Sequence, residues 1–289
     1  MTDPESNLSG QTKDNEGSQT LRGRLAPVGS IGTSGAAALA ERLGVGAYTL
    51  QVMEVVNLAP TMRRLRVGTA EGHALAGFSF EAGQDLMIDV ARQDDRTVRR
   101  RYTIRRFDPG RQLIDLDFVL HGDGPAAQWA KQAVPGTSFE AIGPRGKISL
   151  DPVATWHLFV GDETFVPAVG AMLDALPNGC RAVALLEVDS AADARSLGDE
   201  LRNGDGVAVR FVERGSHRAG QALALLGALD AVEIAPKSRH VYVAGEHRVV
   251  ADIRKELAER GFAPNEVSPK AYWRLGQANA EHGEPARDR

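Results

Sequence analysis

Apolar residues follow two successive rhythms along this chain. Between positions 48 and 150 they recur at every second position, in short runs separated by turn residues. Leu86, Ile88 and Val90 alternate with Met87, Asp89 and Ala91, and Ile114, Leu116 and Phe118 alternate with Asp115, Asp117 and Val119. A period of two predicts strands with one buried face. The runs place strands at 48–58, 62–69, 84–91, 101–107, 113–120, 138–142 and 148–150, and one helix at 125–131 with proline in its first turn. Many short strands with turns between them predict an antiparallel barrel or sandwich.

After Asp151-Pro152 strand and helix alternate. Strands are expected at 157–160, 181–188, 207–212 and 240–244, and helices at 166–176, 192–201, 222–229 and 248–260. Such alternation predicts a parallel sheet with helices on both faces, which binds ligands at the carboxyl ends of its strands. The predicted division is therefore a tail over 1–46, a β-barrel over 47–152, an α/β domain over 153–276 and a C-terminal tail over 277–289. The first 33 residues are rich in Ser, Gly, Asn, Gln and Thr and read as disordered. A short helix is expected at 34–43, with Ser34 as N-cap and Gly44 after its end.

Composition narrows the function. The 289 residues are 43% hydrophobic and 25% charged, enough for two ordinary cores. A net charge of −4 argues against a nucleic-acid or anionic-membrane surface and leaves the local arginine runs to a solvated face or a small anionic ligand. The single cysteine, Cys180, rules out an internal disulfide and an iron–sulfur cluster, which needs about four ligands; it reads as a buried structural thiol in a cytoplasmic protein. No apolar run reaches the roughly 20 residues of a membrane span, and the amino terminus lacks the pattern of a secretory signal. The histidines show no paired metal spacing, and no Gly-x-Gly-x-x-Gly follows a predicted strand. The stretch Gly143-Pro144-Arg145-Gly146-Lys147-Ile148-Ser149 lacks the spacing of a P-loop.

Two segments carry chemistry. In Arg100-Arg101-Tyr102-Thr103-Ile104-Arg105, Arg100 and Tyr102 share one face of a strand. Tyr102 offers a flat surface suited to a flavin ring and Arg100 a rigid fork of donors for its phosphates; a charged edge strand with one packed tyrosine has the same pattern. In Asp117-Phe118-Val119-Leu120-His121-Gly122-Asp123-Gly124-Pro125-Ala126-Ala127-Gln128-Trp129-Ala130, a strand turns through glycines into a helix. Unpaired amides at such a helix start favour a pyrophosphate, and glycines admit close approach. His121 is a candidate cofactor contact, and Trp129 reads as core.

Together these segments resemble the siderophore-interacting protein family, the FAD-dependent ferric-siderophore reductases related to ferredoxin–NADP reductases. The resemblance continues through Gly161-Asp162-Glu163-Thr164-Phe165-Val166-Pro167-Ala168, Val243-Ala244-Gly245-Glu246 and Tyr272-Trp273-Arg274-Leu275-Gly276, and covers about residues 47 to 276. Phe165 and Val166 depart from the family's Ala-Leu. The resemblance implies that Arg100, Tyr102, Thr103, His121, Gly124, Ala126 and Trp129 surround FAD. It implies that Asp162, Glu163, Thr164, Gly245 and Glu246, with Tyr272 and Trp273, serve the cofactors from the second domain; Asp162 and Glu163 also read as a helix cap. Arg248, Lys270 and Arg274 are candidate substrate contacts.

The function this implies is FAD-mediated reduction of a ferric siderophore by NADPH or NADH, in a monomer or weak oligomer without a resident metal. A flavin is needed because the donor gives two electrons and ferric iron takes one. Two alternatives stay open: a flavin-linked reductase serving a protein partner or free flavin, and a non-catalytic siderophore-binding module. For the donor, Asp189 at the end of the second sheet strand favours a free 2′-hydroxyl, whereas Arg195, Arg214 and Arg218 could meet a 2′-phosphate. The resemblance tips the expectation to NADPH.

Overall fold

The computed structural model describes residues 35–277 except 71–74, 76, 92–96, 121, 123, 147, 216 and 236. The expected N-terminal tail, Ser34 and His121 therefore lie outside the described residues.

Six strands form the first domain: β1 (Gly46–Ala59), β2 (Met62–Thr69), β3 (Asp85–Ala91), β4 (Thr97–Asp108), β5 (Leu113–Val119) and β6 (Ser138–Arg145). They close into an antiparallel barrel in the order β1-β2-β5-β4-β3-β6, so no edge is left open. The alternation read from sequence is the inside of this barrel: Leu86, Ile88, Val90, Ile114, Leu116 and Phe118 are all fully buried. Helix α1 (Gly35–Leu43) packs Ala36 and Ala40 against Ile142 on the barrel's outside, and α2 (Pro125–Gln132) lays Ala126 and Ala130 against the core inside. Residues 148–150, expected as a strand, are not one; the last barrel strand instead continues through Gly143-Pro144 to Arg145.

The second domain is a five-stranded parallel sheet in the order β11-β10-β7-β8-β9. Its strands are β7 (Trp156–Asp162), β8 (Arg181–Val188), β9 (Val207–Glu213), β10 (Arg239–Glu246) and β11 (Val267–Trp273). Helices α3 (Val166–Asp174), α4 (Ala191–Gly198), α5 (Leu223–Asp230) and α6 (His247–Glu259) connect them. Leu158, Val160, Val241 and Val243 pack on the α5 and α6 side, and Phe159, Ala184, Leu186 and Tyr242 pack on the α3 and α4 side. Burial on both faces explains why the central strands are almost continuously apolar. The closing Lys270-Ala271-Tyr272-Trp273 is an edge strand of this sheet, which the sequence reading did not assign.

The domains share a core. Ala59 and Met62 of the barrel belong to the cluster that contains Phe159, Met172 and Leu186. Around it run polar ties. Arg64, 5% exposed, grips Asp117 through two bonds of 2.7 and 2.9 Å and reaches Glu200 of the second domain at 2.9 Å. Arg105 bonds Asp174 at 2.6 Å, lying so close to α3 that a Cβ at Gly170 would fall 2.6 Å from its Nε. Asp115 and Asp117, which alternation assigns to the solvent side, are buried by this docking.

Candidate functional site

The sheet reverses direction between β7 and β10. From β7 the chain runs outward through β8 and β9, then returns to place β10 on the other side. The carboxyl ends of β7 and β10 therefore frame the crevice where such sheets bind ligands. Asp162 ends β7 and Glu246 ends β10.

Both carboxylates are buried and fully engaged. Asp162 caps the short 3₁₀ turn Glu163–Phe165 by accepting from the Thr164 amide at 2.9 Å and from the Thr164 hydroxyl. It also accepts from the Glu246 amide at 3.0 Å and from Trp273 Nε1 at 2.8 Å. Burial, reinforced by the neighbouring Glu163 carboxylate, pushes its pKa up to about 6 against these donors. Glu246 caps α6 through the amides of Arg248 and Val249 and accepts from the Leu275 amide at 3.2 Å. Gly245, at φ +138°, is needed between them: a Cβ there would lie 2.5 Å from Asp162 Oδ2. Asp162, Thr164, Gly245, Glu246 and Trp273 are thus one bonded unit. Glu163, 1% exposed, turns instead to Arg214 and bonds both Nη2–carboxylate contacts at 2.9 and 2.7 Å.

On the barrel side, the chemistry of β4 converges with β11. Asp85 of β3, the register partner of Thr103, accepts from Arg101 Nε at 2.9 Å and from Lys270 Nζ at 3.0 Å. Lys270 is therefore a tie between domains, with its charge matched by a buried carboxylate. Tyr272 lies beside this cluster. Burial pushes its phenol well above the usual range, with Thr103 close enough to oppose the shift. Two buried polar atoms here, Tyr272 Oη and Arg101 Nη2, have no hydrogen-bond partner among the described residues. Unpartnered buried groups are costly, so their concentration at one seam fits a bound polar group.

Tyr102 stacks at 4.0 Å between ring centroids on Phe118, and the aromatic chain continues through Trp129 to Phe139. Trp129 is half-buried and packs against the barrel core. Arg100 is half-buried and donates to the Arg99 carbonyl at 2.8 Å. At the start of α2, Gly124 is an N-cap in extended conformation with no side-chain cap, and nothing lies within 4 Å of where a Cβ would stand. The helical bonds begin with the Gln128 amide on the Gly124 carbonyl at 3.1 Å, so the amides of Ala126 and Ala127 have no acceptor within the helix. Of the remaining candidates, Arg248 and Arg274 are exposed and flank Glu246 through its bonds to the Arg248 and Leu275 amides.

The sequence reading missed Asp85, Arg101, Arg64 and Arg105. The paired arginines on β4 were visible, but their partners lie far away in sequence. No group of three potential metal-ligating side chains occurs among the described residues, and none of their helices is long and apolar enough to cross a membrane.

A closed antiparallel barrel with a glycine turn opening a helix, docked on a parallel sheet whose switch point lies beside the barrel seam, is a two-domain fold shared with the FAD/NAD-binding domain of a nitric oxide dioxygenase from Vibrio cholerae (TM-score 0.63, 16% identity, covering 78% of this chain and 98% of that one). The profile described as siderophore-interacting protein matches residues 154–276, and that described as siderophore-interacting FAD-binding domain matches residues 69–148. The ferric vibriobactin reductase ViuB of Vibrio cholerae is 30% identical over 213 residues, covering 71% of this chain and 77% of that protein. The NADPH-dependent ferric-chelate reductase of Escherichia coli K12 is 26% identical over 243 residues, covering 78% and 91%. The crystal structure of a siderophore utilization protein from T. fusca superposes with a TM-score of 0.73 at 29% identity, covering 82% of this chain and 96% of that one. The chain belongs to the siderophore-interacting protein family.

Proposed function

We propose that this chain takes hydride from a nicotinamide dinucleotide, holds FAD on its barrel, and reduces a ferric siderophore. It is an oxidoreductase. The observation that carries this reading is the convergence of Thr103 on β4 with Tyr272 on β11, beside two buried polar atoms that lack partners. Tyr102, Thr103 and Arg100, with the amides of Ala126 and Ala127 at the start of α2, would hold the flavin and its pyrophosphate. His121 stands at the same turn in sequence.

When bound, FAD accepts two electrons as hydride and releases them one at a time. The protein's part is to bind and orient. The Asp162–Gly245–Glu246–Trp273 unit fixes the crevice for the nicotinamide, and the shared core keeps the two domains in register. No side chain is needed as acid or base. Overall, NAD(P)H and two ferric centres give NAD(P)⁺, a proton and two ferrous centres. Siderophore oxygens hold ferrous iron poorly, so reduction releases it.

The test is optical. The purified protein should carry a flavin spectrum that bleaches anaerobically with a nicotinamide donor. Ferric siderophore should restore the spectrum while a ferrous chelator reports the iron. Arg100→Ala should retain FAD more weakly by about 1.5–3 kcal/mol with its fold unchanged. A colourless protein that does not take up FAD would overturn this reading.

A further inference from the structure

We infer that the carboxyl ends of β8 and β9 discriminate against a 2′-phosphate, so that NADH is the donor this chain binds in preference to NADPH. The inference rests on the nicotinamide reading above and deepens it. In open α/β sheets an acid at the end of the second strand accepts from the free ribose hydroxyls, whereas an accessible arginine admits the phosphate. Here β8 is the second strand of the sheet, and the residue after it is Asp189, whose side chain is 55% exposed. The arginine placed to meet a phosphate is Arg214, directly after β9, and it is not accessible.

Arg214 is buried and surrounded by acids. Its guanidinium donates to both oxygens of Glu163 at 2.9 and 2.7 Å, to Glu187 at 2.8 Å and to Asp189 at 3.2 Å. Three carboxylates face one cation, so the strand ends carry an excess of negative charge. Drawing Arg214 out to a phosphate would take from the buried Glu163 and Glu187 the cation they share. The next hydroxyl is also committed: Ser190 caps α4, accepting from the Asp193 amide at 3.3 Å and donating to the Asp193 carboxylate. A dianionic phosphate would therefore meet Asp189 with neither a free guanidinium nor a free hydroxyl from these residues. A ribose 2′-hydroxyl would meet an acceptor. Exposed arginines in the neighbouring sequence include Arg195 and Arg218.

The experiment is a calorimetric titration of the FAD-loaded full chain with NAD⁺ and NADP⁺, neither of which reduces the flavin. NAD⁺ should bind about ten-fold or more tightly. Asp189→Ser should narrow the ratio several-fold, and Arg218→Ala should leave it within about two-fold. Anaerobic flavin reduction should follow the same order. Equal or tighter binding of NADP⁺ by the unaltered protein overturns the inference alone. Loss of NADP⁺ binding in Arg218→Ala would then locate the phosphate site there. Failure of both dinucleotides to bind overturns it together with the nicotinamide reading.

Discussion

The two ends of the parallel sheet are built from opposite chemistries. At the carboxyl end Asp162, Glu163, Glu187 and Glu246 are all buried, and their partners are amides, Trp273 and Arg214. At the amino end two histidines, His157 and His240, face each other as register partners on β7 and β10. His240 lies 3.2 Å from Asp151 and 2.8 Å from Ser268 Oγ, and His157 Nδ1 lies 3.3 Å from the Tyr242 hydroxyl. A concavity of about 240 Å³ opens there, yet its lining groups Asp151, Arg239, His240 and Glu266 are matched to one another. The carboxyl end is therefore the end with chemistry to offer, because amides and a buried acid network converge where the strand order reverses. At the amino end the polar groups are matched locally except His157 Nε2, which has no partner among the described residues.

The largest expected effect breaks the carboxyl end directly. Asp162→Ala removes the acceptor of two amides, one hydroxyl and the Trp273 indole, most of them buried. Leaving such donors unpaired should cost about 3–5 kcal/mol, read as a shift of the urea midpoint at constant slope. A loss below about 1 kcal/mol would mean that the unit is dispensable to the fold. Next comes Gly245→Ala, which places a methyl 2.5 Å from Asp162 Oδ2 on a backbone at φ +138°. About 2–3 kcal/mol of destabilisation is expected. A neutral result would show that Asp162 can withdraw without cost, against the first prediction.

The contrast between the ends also measures what the sequence could tell. The barrel and the alternating sheet were legible because inward positions are apolar at a period of two and central strands are apolar throughout. The strand β11 was not, since Val267-Ser268-Pro269-Lys270-Ala271-Tyr272-Trp273 is half-buried along its whole length and carries a proline, as edge strands do. The family motifs Gly-Asp-Glu-Thr and Ala-Gly-Glu were readable, but not how they are used. That Asp162 and Glu246 spend their bonds on the scaffold depends on contacts 84 and 29 residues apart in sequence. The same distance problem hid Lys270, paired with Asp85 across 185 residues. Arg214 read as able to meet a phosphate because its three acids come from elsewhere in the sequence: a 3₁₀ turn, the end of β8 and the residue after it.

The third prediction uses the opposite pH responses of the two ends. At the carboxyl end burial raises Asp162 to about 6 and also raises Glu187. The folded protein then binds protons more readily than the unfolded chain, so these groups favour folding increasingly as pH falls from about 6 towards 4. At the amino end burial lowers both His157 and His240. Below the unfolded value of about 6.5 the unfolded chain takes up protons that the folded one refuses, so these groups withdraw stability as pH falls. His157→Gln keeps a polar partner for Tyr242 and removes one titration. Between pH 7 and 5 it should lose less stability than the unaltered protein, measured by urea unfolding across that range. Identical pH slopes would show that His157 protonates as freely folded as unfolded.

The smallest effect sharpens the comparison from outside. Arg248 and Arg274 sit at the carboxyl end but are exposed; among the described residues the Arg248 side chain shows no bond, and Arg274 reaches only Gln277, at 3.5 Å. Their backbone neighbours, not their guanidinium groups, are what Glu246 holds. Arg248→Ala and Arg274→Ala should therefore leave the unfolding midpoint within about 0.5 kcal/mol of the parent, as for surface substitutions away from buried networks. Any effect they have should appear in the rate at which an anionic ferric chelate reoxidises the reduced flavin, and it should fade with added salt, because exposed charges steer ligands through a screened field. A salt-independent loss of stability in either variant would place its guanidinium inside the bonded unit and blur the line between the scaffold of this end and its open face.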